Sequence, residues 1–159
     1  MFITEFNCLG EGCYVDLRSA KQFIFDHVKQ KASEIEEYKT LEEDPANLWE
    51  AIRSEIARKA RIYVSDFYSG GRTEAFFHND KLVLVIVSHK YNSDNFWNGR
   101  WRSVWTVDTN MGMMQGLVRV DAHYFEDGNV QLRFNKVVNI DLGVKINATD
   151  VFYFILQSR

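Results

Sequence analysis

Apolar residues between Leu48 and Phe67 recur at steps of four, four, four, three and four, at Leu48, Ile52, Ile56, Ala60, Tyr63 and Phe67. That spacing lines one face of an α-helix. Asp44-Pro45 supplies a capping side chain and a proline at the first helical position. Ser69-Gly70-Gly71 supplies the stop. Beyond the glycines the period changes to two, and the stretches 73–78, 82–88, 101–108, 117–125 and 130–142 read as five strands. Asn79-Asp80 and Asp127-Gly128 read as tight hairpin turns. Lys90 to Arg100 reads as a long connection, and Thr109 to Gly116, with Asn110 and Gly112, as a shorter one. Short links between consecutive strands require antiparallel pairing.

The flanks of this region are less regular. Residues 1–17 read as a small hairpin or irregular lead-in around Gly10 and Gly12, and Phe23-Ile-Phe25 as a short strand. Asp26 to Tyr38 is polar and fits strand or helix equally. After the last strand, Asn147 caps a second helix that begins over Val151 to Leu156 and is expected to run on past Arg159 in a longer protein. The expected fold class is α+β: a five-stranded antiparallel meander sheet, a long helix before it and the start of a second helix after it. Residues 1–43 form the lead-in and 44–159 the helix-and-sheet core, in a single domain overall.

The two faces of individual strands differ. Leu82 to Val87 is apolar on both, so this strand should be covered on both sides. Val118, Val120, Ala122 and Tyr124 share one face of the fourth strand, and Arg119, Asp121 and His123 the other. With 46 % apolar and 14 % aromatic residues there is ample material for a core, and one proline and nine glycines argue against a linker-rich chain. A formal net charge of −3 gives no prior for a nucleic-acid or anionic-membrane surface. The longest apolar run, Leu82 to Val87, is too short to span a bilayer.

The chemistry-bearing residues do not assemble into a known catalytic or metal pattern. Cys8 and Cys13 lack the spacing of a zinc half-site, and free thiols are expected. The four histidines, His27, His78, His89 and His123, show no ligand spacing, although a hairpin could bring His78 near His89. Glu126 and Asp127 are adjacent carboxylates, but Asp-Gly has a backbone task in a turn. A hydrolase built on His89 or His123 with Asp121 would need a pocket joining them. Phosphate-cradling glycine loops and nucleophile elbows are absent from the sequence. The most unusual stretch is Asn95-Phe-Trp-Asn-Gly-Arg-Trp-Arg102. It reads as a loop pinned by its aromatic residues, as a protein contact, or as an aromatic-basic platform through Trp97 and Trp101 for single-stranded nucleic acid or another ligand.

Two motifs carry a resemblance. Asn95-Phe96-Trp97-Asn98-Gly99-Arg100-Trp101-Arg102-Ser103 and His123-Tyr124-Phe125-Glu126-Asp127-Gly128-Asn129-Val-Gln-Leu132 closely resemble segments of the F-actin capping protein alpha subunit family. Tyr14 to Arg18, Phe23 to His27 and Ala60 to Gly70 are weaker matches. The resemblance implies an alpha/beta heterodimer with a joint central sheet, which caps the barbed end of actin filaments and blocks subunit gain and loss. It implies a cytoplasmic, cytoskeletal role without catalysis or cofactor, nucleic acid or membrane, and partners in a capping protein beta subunit, or a second copy of the isolated chain, and the filament end. The family's helical stalk and basic C-terminal extension have no counterpart between Met1 and Arg159. The motif residues Asn95 to Arg102 and His123 to Asn129 are therefore expected to serve as scaffold and subunit contact rather than as direct actin contacts.

Overall fold

The computed structural model describes residues 2–38, 48–79, 81–126, 128–143 and 146–157. The chain divides into two compact units, residues 1–50 and 51–159.

The first unit opens with a 3-10 turn, Glu5–Asn7, capped by Thr4, whose Oγ1 accepts from the Phe6 amide at 3.2 Å. Asn7 is buried and satisfied, its Nδ2 donating to the carbonyls of Phe2 and Val15 at 2.7 and 2.8 Å. Four short antiparallel strands follow in sheet order β1-β2-β3-β4: β1 (Cys8–Gly10), β2 (Cys13–Asp16), β3 (Lys21–Asp26) and β4 (Lys31–Glu37). The ambiguous stretch from Asp26 to Tyr38 is thus mostly strand. Asp26 shapes the turn that enters it, its Oδ1 accepting from the amides of Val28 and Lys29 at 2.9 and 3.0 Å. Cys8 and Cys13 are free.

The second unit holds the predicted helix and meander. Helix α1 (Leu48–Phe67) buries Ile52, Ile56, Ala60 and Tyr63, as their spacing requires, together with Ala57 and Val64. Phe67, expected on the same face, is 63 % exposed. It lies in the last turn, where the helix is already giving way to Gly70 at φ +71°. At Gly71 a Cβ would stand 2.8 Å from Val64 and Tyr68 side-chain atoms, so the glycines admit a turn that a larger residue would block. The expected cap at Asp44-Pro45 lies outside the described residues.

Five antiparallel strands then run in sequence order: β5 (Arg72–His78), β6 (Lys81–Asn92), β7 (Trp97–Asp108), β8 (Met113–Tyr124) and β9 (Val130–Asp141). Three of them are longer than expected. The connection read at Lys90 to Arg100 shrinks to residues 93–96, because β6 and β7 pair out to Asn92 opposite Trp97. The connection read at Thr109 to Gly116 likewise gives up Met113 to Gly116 to β8. Gly116 sits directly opposite Trp105, and a Cβ there would stand 2.2 Å from the indole ring. A glycine that looks like loop punctuation is in fact the recess that receives a tryptophan.

Helix α2 (Ala148–Gln157) follows, with Asn147 Oδ1 accepting from the Asp150 amide at 2.9 Å, the expected cap. Tyr63, Tyr68 and Ile155 meet Ile86, Trp101, Trp105 and Val118 around a small internal gap, so α1 and α2 cover the same sheet face. Lys59 Nζ donates to Thr149 Oγ1 at 3.0 Å and ties the two helices together. Of Leu82 to Val87, expected to be covered on both faces, Leu82 to Ile86 are buried and Val87 is half-buried.

Candidate assembly interface

A meander has two terminal strands, and the sequence treats them in opposite ways. The outer side of β5 is engaged at its middle by side chains, one of them from α1. Arg53 Nη1 donates to the Ala75 carbonyl at 3.2 Å, and Glu74 Oε1 accepts from the Ala75 amide at 3.1 Å. Arg61 Nη2 in turn holds both Glu74 oxygens, at 2.9 and 2.8 Å. Glu74 is buried, and a buried carboxylate requires such a partner. Both backbone groups of Ala75 are thereby engaged by side chains and are not open to another strand at that position.

The other terminal strand is left open. Among the described strands β9 pairs only with β8, so one side of its twelve residues is without a ladder. Val130, Leu132, Phe134 and Val137 are each between 49 and 60 % exposed along it. A long open edge rich in exposed apolar side chains is a template for pairing with another chain.

The two sequence motifs meet beside this edge. In the β7–β8 ladder Trp97 stands opposite Tyr124, Asn98 opposite His123 and Gly99 opposite Ala122. The Trp97 and Tyr124 rings lie 5.0 Å apart. The turn before β7 carries Phe96 at φ +58°, and its carbonyl accepts from the Phe125 amide at 3.1 Å. Phe125 collects Tyr91, Phe96 and His123 around its ring at 6.2, 5.7 and 5.8 Å. Asn95 Oδ1 accepts from the Trp97 amide at 3.4 Å. The Tyr124 hydroxyl donates to the Glu126 carboxylate, and that bond holds the phenol above its ordinary pKa. Asn129 Oδ1 accepts from Gln131 Nε2 at 3.2 Å, and Gly128 is exposed. Asp127 lies outside the described residues. The aromatic-rich stretch is therefore a turn followed by strand, not a loop. Trp101 is half-buried against Tyr68, while Trp97 is 46 % exposed, so the two tryptophans do not form one open platform.

The other candidates separate differently. His78 ends β5 opposite Lys81 while His89 lies eight residues further along β6 opposite Arg100, so the hairpin sets them apart. No cluster of three metal-binding side chains occurs among the described residues. His89, Asp121 and His123 do line one open groove. There Arg100 stands between His89 and Asp121 in the ladder, and Asp121 pairs with Arg133 at 3.7 Å. The carboxylate thus faces a guanidinium rather than an imidazole it could polarise. Sequence reasoning missed the closure of β5, because Arg53, Arg61 and Glu74 have no spacing that marks them as partners.

Comparison with known proteins bears on what the open edge serves. The family model of the F-actin capping protein alpha subunit matches residues 1–158. The chain belongs to that family. Capping protein alpha subunits of Gibberella zeae and Chaetomium thermophilum are 38 and 39 % identical to it over 87 % of this chain. That of Caenorhabditis elegans is 33 % identical over 99 % of the chain. The match takes in 50, 49 and 58 % of those three relatives, so the chain spans about half the length of the alpha subunits it resembles. The fold is also that of the homodimeric actin capping protein alpha subunit from Plasmodium berghei, with a TM-score of 0.78 at 20 % identity over 97 % of this chain and 61 % of that one.

Proposed function

We propose that this chain is the scaffold and dimerisation portion of a subunit in a complex that caps the barbed end of actin filaments and blocks addition and loss of actin there. Membership of the alpha subunit family supports the activity. The observation that carries the assembly role is the contrast between the sheet's two borders, β5 engaged at Ala75 by Arg53 and Glu74 and β9 without a strand partner among the described residues. The partner is a capping protein beta subunit, or a second copy when the chain is alone. A fold neighbour described as homodimeric supports the second form. Residues 44–159 carry this role, with Asn95 to Arg102 and His123 to Asn129 fixing strand register beside the interface. The work is mechanical, in the cytoplasmic actin cytoskeleton, and uses neither catalysis nor cofactor.

Elongation of pyrene-labelled actin from filament seeds tests this reading. The chain co-purified with a beta subunit is expected to slow barbed-end growth, and the chain alone to leave it nearly unchanged. Potent inhibition by the lone chain would contradict the scaffold assignment, and no inhibition by the complex would contradict the capping assignment for this portion.

A further inference from the structure

A trough of about 440 Å³ crosses the strands on the sheet face opposite Trp101 and Trp105. Its lining is three successive rows of the β6–β9 ladder. Residues two apart on a strand share a face, so the two outer rows stand up as walls. The middle row, with Gly99 and Ala122, turns its side chains away and leaves backbone as the floor. One wall is polar and aromatic, formed by Tyr91, Asn98, His123 and Gln131. The other carries the charges, at His89, Arg100, Asp121 and Arg133. The walls stand two residues apart, about 6.8 Å, and three strand steps give the trough a length of about 14 Å.

Three groups in the trough are set for a guest. The Tyr91 ring is 67 % exposed, yet it lies parallel to Phe125 at 6.2 Å, so one face is held and the other is open. His123 Nε2 is buried and has no hydrogen-bond partner among the described residues, and a buried polar atom without one costs stability. Arg100 is exposed and makes no ion pair or hydrogen bond among the described residues. The neighbouring carboxylate, Asp121, is engaged by Arg133 instead, at 3.7 Å.

We propose that the trough binds an adenine nucleoside monophosphate. The purine stacks on the open face of Tyr91, since every base presents a π-face to an aromatic ring. Asn98 stands opposite Tyr91 in the ladder, and its amide carries the donor and acceptor that match the N6 and N7 edge of adenine. The phosphate crosses to the other wall, where Arg100 offers a planar fork and His89 stands opposite it. The ribose spans the trough between them. Its hydroxyls turn toward β8, where His123 and Asp121 stand on the two walls. A polyanion would need cations along a whole wall. Asp121 interrupts this one, so the trough suits a single phosphate and not a nucleic-acid strand.

Isothermal titration calorimetry of adenosine 5′-monophosphate into the 159-residue chain tests the proposal. Saturable binding is expected, with ribose 5-phosphate roughly tenfold weaker because it lacks the base. Tyr91→Ala and Arg100→Gln should each weaken nucleotide binding on the order of tenfold. Both side chains are exposed, and circular dichroism confirms that the variants are folded. Absence of saturation with the folded chain, ribose 5-phosphate binding as tightly as the nucleotide, undiminished binding by either variant, or tighter binding of oligodeoxythymidine would overturn the proposal.

Discussion

Gly116 shows how much a single position can fix. Its missing Cβ is the space that Trp105 occupies, with both residues buried. Gly116→Ala should destabilise the fold by roughly 1–3 kcal/mol through overpacking against the indole, measured by urea unfolding. Arg61 sets a second test. Removing it leaves the Glu74 carboxylate buried without the Nη2 that contacts both its oxygens, but the arginine side chain is itself 40 % exposed, so water replaces part of the pairing. Arg61→Ala should therefore cost only about 1–2 kcal/mol, below the figure for breaking a fully buried pair.

Asp108 has a pH signature at the same scale. Its Oδ1 accepts from the amides of Met111 and Asn110 at 3.0 and 3.1 Å, and Lys81 lies 3.6 Å from the other oxygen. The Met111 bond, then the Asn110 bond and the Lys81 charge, hold its carboxyl below the ordinary aspartate value. A folded pKa below the unfolded one gives stability that is present above the unfolded value of about 3.9 and lost as pH falls through the folded value. Asp108→Asn should flatten that acid limb of the unfolding curve and leave neutral-pH folding intact.

At the scale of elements, legibility followed periodicity. Helix α1 and the strands β5 to β8 were readable because each buries residues on one face or both, and burial imposes a repeat on the sequence; β9 was readable from its apolar alternation although none of its residues is buried. Strands β1 to β4 were legible only in part: Phe23 to Phe25 marked β3, and Gly10 and Gly12 allowed a β1–β2 hairpin as one of two readings, but β4 was not read. They are three to seven residues long, and β4 is exposed at nearly every position, so no apolar repeat marks it. Glycines mark the β1–β2 turn, with Gly10 and Gly12 at positive φ, but the two later turns place Ala20 and Gln30 there, where glycine or asparagine would have signalled a reversal. The β6–β7 turn was misplaced for a related reason. Exposed polar residues at the ends of long strands look like loop, although register continues through them. Closure of β5 also belongs to this scale. Opening it with Arg53→Ala and Arg61→Ala together should produce assemblies larger than a dimer, read by sedimentation velocity, because both sheet borders then become available. A distribution unchanged from the parent chain would show that α1 does not guard that edge.

At the scale of the molecule, the two motifs that marked the family lie against each other where β7 begins and β8 ends. Their proximity was not legible, since the sequence separates them by some twenty residues and only the ladder reunites them. The proposed assembly role rests on the asymmetry of the sheet: at one border side chains engage the backbone of Ala75, and at the other β9 is left open and apolar. The most direct test is multi-angle light scattering on the chain and on its Leu132→Lys, Phe134→Lys variant, which places charges beside the open edge of β9. The parent chain should run as a dimer, alone or with a beta subunit, and the variant as a folded monomer. A parent chain that stays monomeric at high concentration and takes no beta subunit, or a variant that dimerises equally well, would contradict assembly through β9.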